Sequence, residues 1–160
     1  MSDRRVGLGI DFHRFTADRP LILGGVSVPH EQGLLGHSDA DVLTHAICDA
    51  LLGAAGLGDI GVHFPDSDEA YRGASSIGLL GEVMAKVRDA GLRSVNVDAT
   101  VIAEEPKLTP HFAEMREILS RALGIEAGLV GLKATTSEGM GAVGRGEGIA
   151  AFAVALIETG

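Results

Sequence analysis

The sequence predicts an α+β sandwich: a mixed β-sheet of about four main strands packed against three helices on one face, plus a small N-terminal hairpin. Three observations carry this. Val95, Val97, Ala99, Val101 and Ala103 alternate with Asn96, Asp98, Thr100, Ile102 and Glu104, the period of a strand. Val42, Leu43, Ala46, Ile47, Ala50, Leu51 and Ala54 form a wide apolar stripe at helical spacing. Strand-like and helix-like stretches follow one another through 160 residues with no repeat, linker or low-complexity segment, so a single domain over 1–160 is expected.

Residues 5–14 read as the first strand, with Val6, Leu8 and Ile10 alternating against Gly7, Gly9 and Asp11. Leu21 to Leu23, the pair Gly24-Gly25 and Val26 to Val28 read as a hairpin with a two-glycine turn, ended by Pro29. Gly33 to Gly36 is a glycine-bounded loop. The first helix follows, with Ser38 or Asp39 as its N-cap and Gly53 and Gly56 at its end. Residues 57–73 hold Gly58, Gly61, Pro65 and Gly73 and read as a long loop, the kind that often carries function. Ser75 or Ser76 opens a second helix that runs to about Asp89 and closes at Gly91. Pro106 stops the alternating strand. Pro110 suits the first turn of a third helix, with Met115, Ile118, Leu119 and Leu123 inward and Gly124 after it. Leu129 to Thr136 reads as a strand leading into the glycine-rich Ser137-Glu138-Gly139-Met140-Gly141. Periodicity leaves the last apolar run, Ile149 to Ile157, open between strand and helix.

The formal net charge of -9 argues against nonspecific binding to nucleic acid or to an anionic membrane. No apolar run approaches the roughly 18 residues of a transmembrane helix. The charged start Met1-Ser2-Asp3-Arg4-Arg5 does not read as a signal peptide. The single Cys48 excludes an internal disulfide and suits a reducing, cytoplasmic setting. An acidic chain repels a phosphate ester unless metal ions intervene, so the metal-ligating residues matter most.

Asp11 and His13 lie two apart, and on a strand they project to one side. With His45 they make an Asp/His/His set, the three-ligand pattern of a catalytic zinc. The plainer account of His45 is a hydrogen bond to Asp41 or Asp49, its neighbours at four-residue spacing. A metal-bound His needs a partner on its other nitrogen, and Asp49 is the candidate. His37-Ser38-Asp39 sits at the mouth of the first helix, where free N–H groups suit a phosphate, or else Ser38 is only a cap. Asp59, Asp66 and Asp68 hold a second metal or sugar hydroxyls, or shape turns. Thr135, Thr136 and Ser137 offer hydroxyls and backbone amides to a phosphate, and Glu138 offers oxygen to a hard cation; strand and turn roles explain them as cheaply. Pro106-Lys107 is a ligand edge or an exposed lysine.

Together these segments resemble the 2-C-methyl-D-erythritol 2,4-cyclodiphosphate synthase family over nearly the whole chain. The resemblance rests on Gly9-Ile10-Asp11-Phe12-His13, on His37-Ser38-Asp39-Ala40-Asp41 with His45 and Asp49, and on Gly58-Asp59-Ile60-Gly61. Phe64-Pro65-Asp66, Ala134-Thr135-Thr136 and Gly144-Arg145-Gly146-Glu147-Gly148-Ile149 follow in family order. It implies a metal-assisted cyclisation of 4-diphosphocytidyl-2-C-methyl-D-erythritol 2-phosphate with loss of CMP. By resemblance, Asp11, His13 and His45 bind Zn2+, Glu138 helps hold Mg2+ or Mn2+ near the substrate phosphates, and His37 and Thr136 stabilise the transition state. Ser38 and Phe12 add substrate contacts, and Asp59, Ile60, Gly61, Phe64, Pro65, Asp66, Ser67 and Asp68 shape the methylerythritol pocket. Ala103, Glu104, Glu105, Pro106, Lys107, Leu108 and Thr109 form the cytidine pocket with Thr135; Ser137 and Ala142 are further substrate contacts, and Lys107 and Arg145 supply positive charge. The family is a homotrimer built around its sheets, with sites between subunits and a central cavity for an isoprenoid diphosphate. Asn96, Asp98 and Thr100 would then face a subunit contact, and Ile10 and Ala142 stand where Phe is common beside that cavity. A metal-dependent phosphoesterase and a non-enzymatic metal-binding trimer are the competing readings.

Overall fold

The computed structural model describes residues 2–160. Its strands are β1 (Arg4–Thr16), β2 (Leu21–Leu23), β3 (Val26–Val28), β4 (Gly33–Leu34), β5 (Leu92–Ile102), β6 (Val130–Thr135) and β7 (Gly148–Thr159). Its helices are α1 (Val42–Ala55), α2 (Ile60–His63), α3 (Ser76–Asp89), α4 (Phe112–Leu123) and α5 (Gly141–Gly144). A five-stranded sheet runs in the order β4-β1-β7-β5-β6, and β2 pairs with β3 in a separate hairpin. β5 and β6 pair in parallel, and the other strand pairs among the described residues are antiparallel. The last apolar run is a strand, and it lies at the centre of the sheet between β1 and β5. Its inward Ala151, Ala153, Ala155 and Ile157 alternate with Phe152, Val154 and Leu156, which are apolar as well although less buried, so hydrophobicity carries no period of two.

Helices α1, α3 and α4 pack on the same sheet and on one another. The core between the layers is aliphatic, led by Leu43, Ile47, Leu51, Leu80, Met115 and Leu119, all essentially without solvent exposure. Each such side chain contributes roughly 1.5–3 kcal/mol of burial free energy.

β1 turns its glycines, not its apolar residues, toward the helices. Gly7 and Gly9 are buried, whereas Val6, Leu8 and Phe12 are 67%, 60% and 62% exposed. The reason is the spacing to α1. A Cβ on Gly9 would lie 1.8 Å from the Ala46 carbonyl oxygen, and one on Gly7 would lie 1.9 Å from that of Ala50. Glycine on the strand and alanine on the helix let the two backbones meet. An apolar stripe is thereby left on the open face of the sheet, where Leu8 pairs with Val154 and Ile10 with Phe152.

Other departures are local. α1 is capped by Asp41, not by Ser38 or Asp39. Asp41 is fully buried and accepts the Thr44 N–H at 3.0 Å, the Thr44 hydroxyl at 2.7 Å, and the N–H groups of Gly24 and Gly25 at 2.9 Å each. The cap therefore also pins the β2–β3 turn to the start of α1. The glycine-bounded loop at 33–36 contributes the short strand β4. The long loop 57–73 contains α2 and a 3-10 turn at Glu69–Tyr71. A bulge at Ser94/Asn96 shifts the register of β5, so that Leu92 and Ser94 are buried and Val95 is only half-buried.

Candidate active site

Asp11 and His13 are the next two inward positions of β1 after Gly7 and Gly9. Because α1 lies so close to this strand, His45, one residue before Ala46, reaches both of them. The His45 Nδ1–Asp11 Oδ2 distance is 3.1 Å, the His13 Nε2–Asp11 Oδ2 distance is 2.9 Å and the His13 Nε2–His45 Nδ1 distance is 3.3 Å. Tetrahedral ligands at zinc bond lengths of about 2.0–2.1 Å are roughly 3.3 Å apart. The triangle therefore matches one face of a zinc tetrahedron, and it is the candidate metal group among the described residues. His45 and Asp11 face one another as the sequence anticipates; Asp41 accepts only the His45 backbone N–H, and neither the Asp41 nor the Asp49 carboxylate bonds the His45 ring among the described residues.

The ring nitrogens outside the triangle are fixed by other partners. His13 donates its Nδ1–H to the Leu35 carbonyl at 2.7 Å, which leaves the Nε2 lone pair for a metal. His45 Nε2 lies 2.8 Å from Ser76 Oγ and 3.1 Å from Ser38 Oγ. Ser76 gives its own proton to Asp39 Oδ1, so its oxygen accepts the His45 Nε2–H and the Nδ1 lone pair points into the triangle. Asp39 also accepts the Ser76 N–H at 3.0 Å. A chain of His45, Ser76 and Asp39 thus takes the role expected of Asp49. Asp49 is occupied elsewhere: it accepts the Ile60 N–H at 2.8 Å and anchors α2.

Charge follows this geometry. Burial works against ionisation of Asp11, but its close contacts with the His13 and His45 rings outweigh it and lower the Asp11 pKa to about 2. Burial likewise opposes a charge on His13, yet the Asp11 hydrogen bond and charge, with the Leu35 carbonyl, raise its pKa above the ordinary value. Without metal the pair holds a proton; the same site offers a carboxylate and two neutral rings once that proton leaves.

Beside the triangle, His37, Ser38, His45, Ile60, Phe64 and Asp66 line one small cleft, together with Tyr71 and Leu79. His37 donates Nε2–H to the Asp68 carbonyl at 3.0 Å. Asp59 caps α2 through the Val62 N–H at 3.1 Å, and Asp68 caps the following 3-10 turn through the Ala70 N–H at 2.9 Å, so both carboxylates already serve as turn-formers. Gly61, Pro65 and Ser67 lie in the same segment but do not line the cleft.

A second cleft, about 570 Å³, opens where β5 and β6 end. It is lined by Ala103, Glu104, Pro106, Lys107, Leu108, Thr109, Ala134, Thr135 and Thr136, with Pro110. Glu105 does not line it but, with Glu104, borders a groove shared with Arg145, which pairs with Glu147 at 3.1 Å. Ala142 sits with Phe12 and His13 in a separate shallow groove. Ser137 and Glu138 stand on the loop just beyond β6, and the Glu138 N–H is donated to Thr136 Oγ1 at 3.2 Å. The expected phosphate-binding amides of this loop are therefore already engaged within the protein.

Sequence reasoning did not reach Ser76, Tyr71, Leu79 or the Leu35 carbonyl. Ser76 alone left a signal. Of the pair Ser75-Ser76 only one can cap α3, and Ser75 does so, through the Gly78 N–H.

The comparisons with known proteins agree with this geometry. The family model described as "YgbB family" matches residues 4–158. A 2-C-methyl-D-erythritol 2,4-cyclodiphosphate synthase of Syntrophomonas wolfei is 60% identical over 154 residues, covering 96% of this chain and 98% of that protein. The solved bifunctional IspDF of Campylobacter jejuni superposes with a TM-score of 0.96 at 39% identity, covering all of this chain and 43% of that one. A solved 2C-methyl-D-erythritol-2,4-cyclodiphosphate synthase in its CDP-bound form gives a TM-score of 0.87 at 40% identity, covering 96% and 99%. This chain belongs to the YgbB family, the family of the 2-C-methyl-D-erythritol 2,4-cyclodiphosphate synthases.

Proposed function

We propose that this protein converts 4-diphosphocytidyl-2-C-methyl-D-erythritol 2-phosphate into 2-C-methyl-D-erythritol 2,4-cyclodiphosphate and CMP, as a phosphorus–oxygen lyase of non-mevalonate isoprenoid precursor synthesis. The observation that carries this reading is the Asp11/His13/His45 triangle, with ligand spacings of 2.9–3.3 Å, in a chain 60% identical to such a synthase. The 2-phosphate oxygen attacks the β-phosphorus, the bond from that phosphorus to the α-phosphate oxygen breaks, and CMP leaves. No water is consumed, so the protein's task is to fold the substrate and hold attacker and leaving group in line.

Asp11, His13 and His45 hold Zn2+, which when bound supplies Lewis-acid stabilisation of charge on the β-phosphate. The Leu35 carbonyl and the Ser76–Asp39 pair keep both rings turned toward it. Glu138 would help hold Mg2+ or Mn2+, which would offset the negative charge of the substrate diphosphate. His37, in the cleft beside the triangle, and Thr136, at the mouth of the second cleft, flank the transferring phosphorus. Ser38 and residues Ile60 to Asp66 receive the methylerythritol, and the β5–β6 cleft with Lys107 receives the cytidine.

A homotrimer completes the site. Asp11, Ala151, Val101 and Ala134 share one level across β1, β7, β5 and β6. Three strand spacings of about 4.8 Å separate the first from the last, roughly 14 Å. That separation fits the arrangement the family resemblance implies, in which the cytidine cleft of one subunit would serve the metal group of its neighbour. The exposed stripe of Val6, Leu8, Ile10 and Phe12 provides the apolar surface for this contact. Residues 1–160 act as one synthase domain, and an isoprenoid diphosphate is the class of ligand for a cavity on the trimer axis. Among the described residues no helix is long and apolar enough to cross a membrane, and a cytoplasmic enzyme without nucleic-acid or membrane partners fits the acidic composition. The test is turnover of the substrate with zinc and magnesium supplied: CMP and a cyclic diphosphate are expected, and an inactive protein or a linear product would overturn the proposal.

A further inference from the structure

We infer that Glu104 is a positioning residue for the loop that carries Glu138: its carboxylate grips the loop backbone and thereby sets where Glu138 and Thr136 stand. This rests on the reading that Glu138 holds a divalent cation against the substrate diphosphate. Strands β5 and β6 run parallel and end side by side, and the Ala103 N–H donated to the Thr135 carbonyl at 3.0 Å adds a further rung. Glu104, leaving β5, therefore faces Ser137 to Gly139, leaving β6. Its Oε1 accepts the Ser137 N–H at 3.0 Å and the Gly139 N–H at 3.3 Å. The Ser137 hydroxyl lies 3.1 Å from the same oxygen and 2.8 Å from the Met140 carbonyl, and shares its one proton between them.

Successive backbone N–H groups in such a turn form a concavity that elsewhere binds anions. Here the anion is the protein's own. With the Glu138 N–H taken by Thr136 Oγ1, three consecutive amides are engaged internally. The loop needs this hold. Glu138 has φ 55° and Gly139 φ 73°, and a residue with a Cβ disfavours the left-handed region. The Glu138 carboxylate is exposed and has no hydrogen-bond or ion-pair partner among the described residues, so its place is fixed through its backbone. Charge favours the same role. A free carboxylate beside a diphosphate repels it, whereas one surrounded by N–H donors is locally compensated. Those donors also lower the Glu104 pKa, the Ser137 N–H foremost, so it remains ionised at neutral pH.

The test compares Glu104→Ala, Glu104→Gln and Ser137→Ala with the wild-type protein. The readouts are kcat, the magnesium concentration for half-activation, CDP affinity in magnesium-free buffer, and amide hydrogen exchange at residues 137–139. Displacement of an aligned group by about 1 Å costs on the order of 100-fold in rate. Glu104→Ala is expected to lose about that much in kcat, to require more magnesium and to exchange its loop amides faster, a loss larger than any change in its magnesium-free CDP affinity. Glu104→Gln, which keeps the accepting oxygen, is expected to restore most of each, and Ser137→Ala to fall between. The inference is overturned if Glu104→Ala keeps wild-type kcat and magnesium dependence, or if its whole deficit lies in magnesium-free CDP affinity. A wild-type protein that releases no CMP would instead sink the proposed reaction, and the exchange data would still report the grip on the loop.

Discussion

Ser76→Ala is the sharpest probe of how the metal group is held. Ser76 is fully buried, and its Oγ joins His45 Nε2 at 2.8 Å to Asp39. The substitution removes one oxygen and leaves the packing almost unchanged. His45 then keeps only Ser38 Oγ, at 3.1 Å, as an acceptor for its Nε2–H, while Asp39 keeps the residue-76 N–H. Removing the partner of a metal-bound histidine costs about 10- to 100-fold in affinity. The surviving Ser38 contact argues for the lower end, about 10-fold or about 1.4 kcal/mol. Competition against a chromophoric zinc chelator measures this directly, with His45→Ala as the folded control that binds no stoichiometric zinc. If Ser76→Ala matched wild type and Asp49→Asn weakened zinc instead, the chain through Ser76 to Asp39 would be wrong.

Two further outcomes follow from the same geometry. Gly9→Ala puts a methyl group 1.8 Å from the Ala46 carbonyl oxygen, so α1 has to move off β1. A loss of about 3 kcal/mol is expected, a fall in Tm of roughly 6–12 °C, with weaker zinc binding because His45 moves with the helix. For pH, the protonated His13–Asp11 pair stabilises the metal-free protein below the ordinary histidine pKa, and this is lost as pH rises through the raised pKa of His13. Zinc needs the neutral ring, so the rise in Tm on adding zinc should grow across that interval and shrink on acidification. A pH-independent zinc shift between pH 5 and about 8 would contradict the proton-for-metal exchange.

Much of this was legible because local signals coincide with the fold. The two-glycine turn placed both strands of the β2–β3 hairpin at the residues where they occur. The period-two pair Asp11 and His13 and the helical His45, picked out by spacing and residue type, are the residues that the fold brings together as a candidate metal group. What could not be read depended on partners distant in sequence. Ser38 and Asp39 look like caps for α1, but Asp39 is committed to Ser76, 37 residues away, and Ser38 to His45. Asp49 shares a helix face with His45, yet the Ile60 N–H claims it. The outward face of β1 was hidden for a different reason: alternation separates two faces without saying which meets the helices. That answer lay in Gly7 and Gly9, whose missing side chains admit α1.

In the proposed reaction the nucleophile is the substrate's own 2-phosphate and not water. This is tested by running the reaction in water enriched in oxygen-18 and weighing the products. CMP and a cyclic diphosphate, neither carrying label, are expected. A linear phosphate product that has gained oxygen-18 would mean that the Asp11/His13/His45 site activates water and that the protein is a phosphoesterase.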